Sequence, residues 1–382
     1  MLGPDTCVVA NARWWYDDNP GEESSMTITQ ARTGSASGII LAIGEQMSVT
    51  RTEAAPNEAF RRLSELMDAV VVGNDFPGRR NPVLGWAEGA SALCFAQAKH
   101  ILEAYPRADV YVTFSGCIGM PLGMMLRRMR QRPVHVMIGH RLNTRAKRVL
   151  TVLTKWHLGV DKLITVSRAQ SEYVSRLLPH ASVFIPYGVD DSFYHPIDEP
   201  EEDYILTVGS ESRDFETLMA AISRTSLNVK VVSSSPWCRR RTAMGEAWDQ
   251  TEILPRVDYV ALRSLYQRAK FVVVPLYDVD YAAGVTVIQE SLCMGKPLVV
   301  SGSRGISDYV SHMRDSYVVP PGNVEAMADA LMTLDRSRSV RDELKLGARQ
   351  TATEFCTLDS YSQRLKSEIL ATLQKSRVNH TG

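Results

Sequence analysis

The stretch FVVVPLYDVDYAAGVTVIQESLCMGKPLVVSG, residues 271–302, decides how the chain is read. Both ends are short apolar runs rich in valine with no polar interruption, the pattern of parallel strands buried on both faces. Between them the polar loop DVDYAAG (278–284) gives way to VTVIQESLCM, and Gly295 and Pro297 read as the C-cap and stop of a helix. Such a unit predicts an open parallel sheet covered by helices, whose ligands gather beyond the carboxyl ends of the strands. Gly284, Val285 and Thr286 fall at the helix start, where backbone N–H groups and the helix dipole suit a phosphate. Glu290 lies one to two turns inside, where a carboxylate reaches two neighbouring hydroxyls of a ligand lying across the N-terminus. Taken alone, it reads more simply as a surface glutamate on an amphipathic helix.

The same alternation runs outward in both directions. Upstream, ADVYVTF (108–114), PVHVMIG (133–139), KLITVS (162–167) and ASVFIPYG read as strands separated by helical segments, with Ser167 as an N-cap. Downstream come YILTVG (204–209), NVKVVSSS, FVVVPLY, PLVVSG and SYVVP. The helices FETLMAAISR and DYVALRSLYQRA, a short helix at 305–313, a helix from Asn323 and a long helical tail accompany them. Residues 1–107 are harder to read: CVVANA and DAVVVG suit strands, and TGSASGIILAIG (33–44) suits a glycine-rich loop entering a helix or a strand. The run DDSFYHPIDEPEED (190–203) has the composition of an interdomain linker. The expected architecture is α/β, two doubly wound Rossmann-like domains facing each other across a cleft. The first spans 1–188 and the second 204–360, with a linker at 189–203 and a C-terminal helix at 361–382 packing back on the first domain.

Composition narrows the function. With 382 residues, 45% hydrophobic and 23% charged, the chain has the size and make-up of a two-domain globular enzyme. A formal net charge of zero argues against a general nucleic-acid binder. Six scattered cysteines (7, 94, 117, 238, 293, 356) show no metal-ligand or disulfide spacing, which fits a reducing cytoplasm and no metal site. MLGPDTCVVANARWWYDD has no basic region followed by a long apolar run, so no signal peptide is expected. The average charge hides an asymmetry: no acidic residue lies between Asp109 and Asp161, while Arg127, Arg128, Arg130, Arg132, Arg141, Arg145, Lys147, Arg148 and Lys155 all do. That stretch reads either as a solvated basic face or as a surface for an anionic acceptor or an anionic membrane.

Two further loops follow strands of the second half. In VGSESRDFETL (208–218) a strand ends at Gly209, and Arg213 stands just ahead of a helix, as an anion site or an ordinary turn. ILPRVDYVALRSLYQRAKF (253–271) reads as a loop before a helix that packs on the sheet.

In this order and spacing, VGSESRDFETL, RSLYQRAKFVVVP and AAGVTVIQESLCMGKPLVV resemble the C-terminal domain of GT-B glycosyltransferases of the retaining family four. YGVDDSFYHP and VVPPGNVEAMADALMTL resemble the family's domain-joining segment and a later helix. The resemblance covers roughly 160–360 and leaves the first 107 residues without signal. It implies that Glu290 binds the ribose hydroxyls of a nucleotide and that Arg213 contacts a diphosphate. Gly209 and Ser210 form the neighbouring loop, and Gly284, Val285 and Thr286 offer N–H groups to sugar and phosphate. Arg256 and Val257 flank the base, and His140 faces the donor sugar across the cleft, unless it is a strand-end structural histidine. Two departures stand out. Ala282 occupies the place of the first glutamate, which touches donor-sugar hydroxyls, and Ser210 the place of an arginine; Asp278, Asp280 or Tyr281 are the candidate replacements for the missing acid. The implied activity is transfer of a hexose from a UDP- or GDP-sugar to a glycan, lipid-linked or small-molecule acceptor, with retention and without metal or cofactor. Rival readings are a GT-B-fold nucleotide-sugar epimerase and a non-catalytic homologue acting as a partner subunit.

Overall fold

A computed structural model describes residues 38–44, 54–73, 94–179, 181–233, 250–255 and 257–381. CVVANA, most of the glycine-rich TGSASG, the arginine-rich loop at 239–241 and Arg256 lie outside them.

The described chain forms two six-stranded sheets in which every pairing is parallel. The first contains β1 (Ile39–Ala42), β2 (Val70–Val72), β3 (Val110–Thr113), β4 (Val134–Gly139), β5 (Lys162–Thr165) and β6 (Ser182–Phe184), in the order β2-β1-β3-β4-β5-β6. The second contains β7 (Ile205–Val208), β8 (Val229–Val232), β9 (Thr251–Leu254), β10 (Val272–Val274), β11 (Leu298–Ser301) and β12 (Tyr317–Val319), in the order β12-β11-β10-β7-β8-β9. In each the order reverses beside the first strand, so a crevice opens at the strands' carboxyl ends. The expected pair of doubly wound sheets is therefore present, and IILA at 39–42 is a strand rather than a helix.

Strands buried on both faces are the continuous apolar runs, as β3, β4 and β10 show. One polar residue breaks this pattern in β4. His135 is fully buried, and its Nδ1 lies 3.0 Å from the Gly159 carbonyl, which can only accept. Nδ1 therefore donates, leaving Nε2 to accept from the Thr113 hydroxyl at 3.1 Å. Burial pushes its pKa down to about 4, so this histidine is neutral scaffolding.

Helices cover both sheets: α1 (Ala59–Met67), α2 (Phe95–Ala104), α3 (Gly116–Leu126), α4 (Arg145–Thr154) and α5 (Arg168–Ser175) in the first half. In the second are α6 (Phe215–Ile222), α7 (Tyr259–Arg268), α8 (Val285–Cys293), α9 (Val324–Arg336), α10 (Arg338–Phe355) and α11 (Leu358–Thr381). Along α11, Leu358, Tyr361, Leu365 and Ile369 share one helical face and enter the first sheet's core beside Leu41, Val112 and Val136. The chain thus returns across the cleft to the domain it left.

Three expectations are corrected. TEIL at 251–254, read partly as loop, is the edge strand β9, half-exposed as an edge strand with one wet face must be. The short helix expected at 305–313 is only a 3-10 turn, Arg304–Ile306. The Asp315 carboxylate takes the Ser311 N–H at 2.8 Å and so competes with helical pairing. The long tail is two helices, broken near Thr357, whose hydroxyl accepts from the Ser360 N–H at 3.2 Å and caps the second.

Candidate functional site

β7 ends in Gly209, with φ +89°, and the turn that follows passes through Ser212, with φ +51°. This reversal folds Arg213 back under the sheet edge, where its backbone bridges to Leu276 after β10. The guanidinium lies between two glycines. A methyl group on Gly209 would stand 2.9 Å from Nη2, and one on Gly284 would stand 3.1 Å from Nη1. Both glycines also adopt left-handed backbone, so both are required twice over. Nε donates to the Val208 carbonyl at 3.0 Å and Nη1 to that of Glu211 at 2.9 Å, fixing the plane of the group. Burial lowers the Arg213 pKa to about 10, which leaves it charged at neutral pH.

Gly284 is also the N-cap of α8, with φ +77° and no side chain capping the helix. Thr286 is exposed in its first turn, Gly284 is half-buried and Val285 is buried. A fixed cation and an uncapped helix N-terminus thus adjoin, the combination that holds a diphosphate. Ser210 is half-buried in the same turn, and Val257 packs half-buried against the second domain's core.

Glu290 is no surface glutamate. It is 6% exposed, and its Oε2 accepts from the hydroxyl of Tyr266 on α7 at 2.7 Å. Tyr194 points its hydroxyl at the same carboxylate without completing a well-formed bond, and its ring stacks edge-on to Tyr266 at 6.3 Å. Burial raises the carboxyl pKa to about 7, opposed by Tyr266, Tyr194 and Arg213. The carboxyl group is therefore poised to gain whatever hydroxyl donors a ligand brings.

The first domain supplies the opposite wall. His140 follows β4, open to solvent through the cleft although protein from both domains surrounds it. That crowding lowers its pKa; the nearby Phe114 backbone and Glu211 of the other domain pull the other way. Arg141 covers the ring of Tyr281 at 4.6 Å, and Lys147 donates to the Arg141 carbonyl.

The proposed stand-ins for the missing glutamate are otherwise engaged. Asp280 binds the first domain: Asn143 donates to its carboxylate, and Gln170 Nε2 donates to its carbonyl at 3.2 Å and its Oδ1 at 3.3 Å. Tyr281 is buried beneath Arg141, its hydroxyl shared with Ser212. Asp278 pairs with Arg304 at 3.2 Å. Ala282 packs against the apolar core. Glu211, exposed in the β7–α6 turn, is close enough to act electrostatically on His140, Tyr281, Arg213 and Lys147. Sequence reading missed it, along with Tyr266 and Tyr194. The signal for Tyr266 was present: a tyrosine on the buried face of α7, in RSLYQRA, needs a buried partner for its hydroxyl.

Comparison with known proteins adds the relatives. Residues 203–336 match the family model described as Glycosyl transferases group 1. No curated protein sequence matches. Sucrose-phosphate synthase from Thermosynechococcus elongatus superposes with a TM-score of 0.68 at 16% identity, covering 88% of this chain and 99% of that one. HepE from Anabaena, solved with UDP and glucose, gives 0.65 at 13% over 86% and 98%, and a glycosyltransferase from Rickettsia africae 0.61 at 14% over 89% and 99%. The chain thus has the GT-B fold, and its second domain matches the glycosyl transferases group 1 model over residues 203–336.

Proposed function

We propose that the chain transfers a hexose from a UDP- or GDP-sugar to an acceptor hydroxyl with retention of configuration. The observation that carries this reading is Arg213, locked between Gly209 and Gly284 at the N-terminus of α8, with Glu290 held by Tyr266 behind it. In this reading the diphosphate lies on Arg213 and the N–H groups of Val285 and Thr286, and Glu290 accepts from both ribose hydroxyls. Val257 flanks the base. The sugar then projects between Glu211 and His140, and Glu211 takes over the recognition of sugar hydroxyls that Ala282 cannot provide. The bond from the anomeric carbon to the diphosphate breaks as the acceptor oxygen attacks on the same face. The acceptor proton passes to a phosphate oxygen of the leaving group, and Arg213 stabilises the charge that develops there. A cytoplasmic setting fits Cys94, Cys117, Cys293 and Cys356, which form no disulfide among the described residues.

A donor panel tests this directly by release of nucleoside diphosphate, with and without candidate acceptors. One UDP- or GDP-hexose should release nucleotide. Glu211→Ala should lower turnover of that sugar nucleotide by about tenfold or more, while binding of the bare nucleoside diphosphate stays unchanged, a contact to the sugar alone. Binding without release on every donor would instead make the chain a non-catalytic partner subunit.

A further inference from the structure

The acid-free stretch between Asp109 and Asp161 folds into a surface with an unusual distribution of side chains. Twelve large apolar side chains stand exposed among the described residues, and five of them fall within 129–158: Met129, Val149, Val152, Leu153 and Leu158. Of the valines and leucines of helix α4, only Leu150 packs, half-buried, on the domain's core. The helix's one buried side chain is Thr151, which donates to the Lys147 carbonyl at 2.7 Å and accepts from Trp156 Nε1 at 2.9 Å. Its outer side carries Val149, Val152 and Leu153, exposed by 59%, 74% and 75%. A helix that packed on its own domain in the ordinary way would present these residues inward.

The patch is continuous with its neighbours. Leu158, 56% exposed, lies in the 3-10 turn Trp156–Gly159 that follows α4. That turn touches α3 backbone to backbone: a methyl group on Gly159 would stand 2.1 Å from the Gly123 carbonyl oxygen. One turn beyond Gly123 come Arg127, Arg128, Met129 and Arg130, the last three exposed. His157, beside Leu158, feels both Lys155 and Arg127, so cations from both segments lie near this turn. Arg145 and Lys155, at the two ends of α4, are exposed as well.

From the exposed Val149, Val152, Leu153 and Leu158, with the exposed Arg128, Arg130, Arg145 and Lys155 in the same acid-free stretch, we propose that this face seats the protein on an anionic lipid surface. Apolar side chains enter the interface while the surrounding cations meet lipid phosphates. Charge complementarity selects this occupant: a second copy would bring the same uncompensated positive charge against itself. The face also has a useful position. Arg141 to Thr144 form the cleft rim just before α4, and α4 runs only about 15 Å from its first residue to its last. A bilayer held against α4 therefore lies beside the cleft mouth. Resting on the transferase reading above, this makes a membrane-anchored, lipid-linked acceptor the class that the site receives.

Vesicle flotation of the full chain tests the surface without any donor, so its outcome is separate from that of the transferase assay. The probes are phosphatidylcholine vesicles and phosphatidylcholine vesicles containing phosphatidylglycerol. Binding should require phosphatidylglycerol, weaken with salt, and fall roughly fivefold for each of Arg128→Ser and Arg130→Ser. The double variant Val152→Ser/Leu153→Ser should lose at least tenfold in binding while keeping the wild-type circular dichroism and Tm. Leu153→Trp should show a blue-shifted emission that brominated lipid quenches. Equal binding to both vesicle types, an unquenched Leu153→Trp, or a wild-type dimer that Val152→Ser/Leu153→Ser converts to monomer would each overturn the proposal.

Discussion

The two domains share one plan, a six-stranded parallel sheet covered by helices, but place their charges differently. At its sheet's carboxyl edge the second domain buries Arg213, Asp214 and Glu290, each tied to named partners. The first domain leaves Arg128, Arg130, Arg141, Arg145, Arg148 and Lys155 exposed. A buried charge needs its hydrogen bonds built in advance, so the second domain's site is already shaped for one ligand chemistry. An exposed charge acts mainly through its field, which suits a surface that meets an extended anionic partner.

The sharpest way to break this contrast is to remove the buried cation. Arg213→Ala should reduce turnover by about 10²–10³, the range for a group that meets charge only as it develops. Nucleoside diphosphate release measures it, with Arg213→Lys and its Tm as the control for folding. A change under threefold in a folded variant would mean that the buried charge is structural. The next effect falls where the domains meet. Asp280 holds Asn143 and Gln170, and Arg168 pairs with Asp308 at 2.9 Å while Tyr309 donates to the Val166 carbonyl at 2.6 Å. Asp280→Ala removes one member of this clasp and orphans the Asn143 amide, while Gln170 keeps only the backbone carbonyl. It should lower stability by about 1–3 kcal/mol and separate the unfolding of the two domains in calorimetry. A single unshifted transition would show that the clasp does not couple them.

The second domain was the more legible half because its chemistry is encoded locally. Gly284, Gly295 and Pro297 punctuate a helix, and valine-rich runs mark strands buried on both faces, so the α8 unit follows from spacing alone. Glu290 could be placed on α8 but not buried, because burial depends on Tyr266 and Tyr194, 24 and 96 positions away in the chain. Glu211 was illegible for a related reason. Its nearness to His140 depends on the left-handed turn at Ser212 and on how the domains close, neither of which has a periodic signature. Asp280 looked available in sequence because its partners lie in the other domain. The basic stretch was legible as charge only; that α4 turns its valines and Leu153 outward follows from Thr151 and Trp156 taking the inner side.

The measurement that bears most directly on the nucleotide end of the cleft is calorimetric titration of UDP and GDP into the wild type and Glu290→Gln between pH 6 and 8. The Glu290 carboxyl titrates near 7 in the free protein, and ribose hydroxyls donating to it favour the ionised form. One of the two nucleotides should therefore bind the wild type more tightly as pH rises through about 7. Glu290→Gln, folded because a neutral group suits that buried position, should bind about tenfold more weakly at pH 8 and lose that part of the pH dependence. Failure of both nucleotides to bind, or equal affinities of wild type and Glu290→Gln across the range, would contradict the assignment of this pocket to a nucleotide.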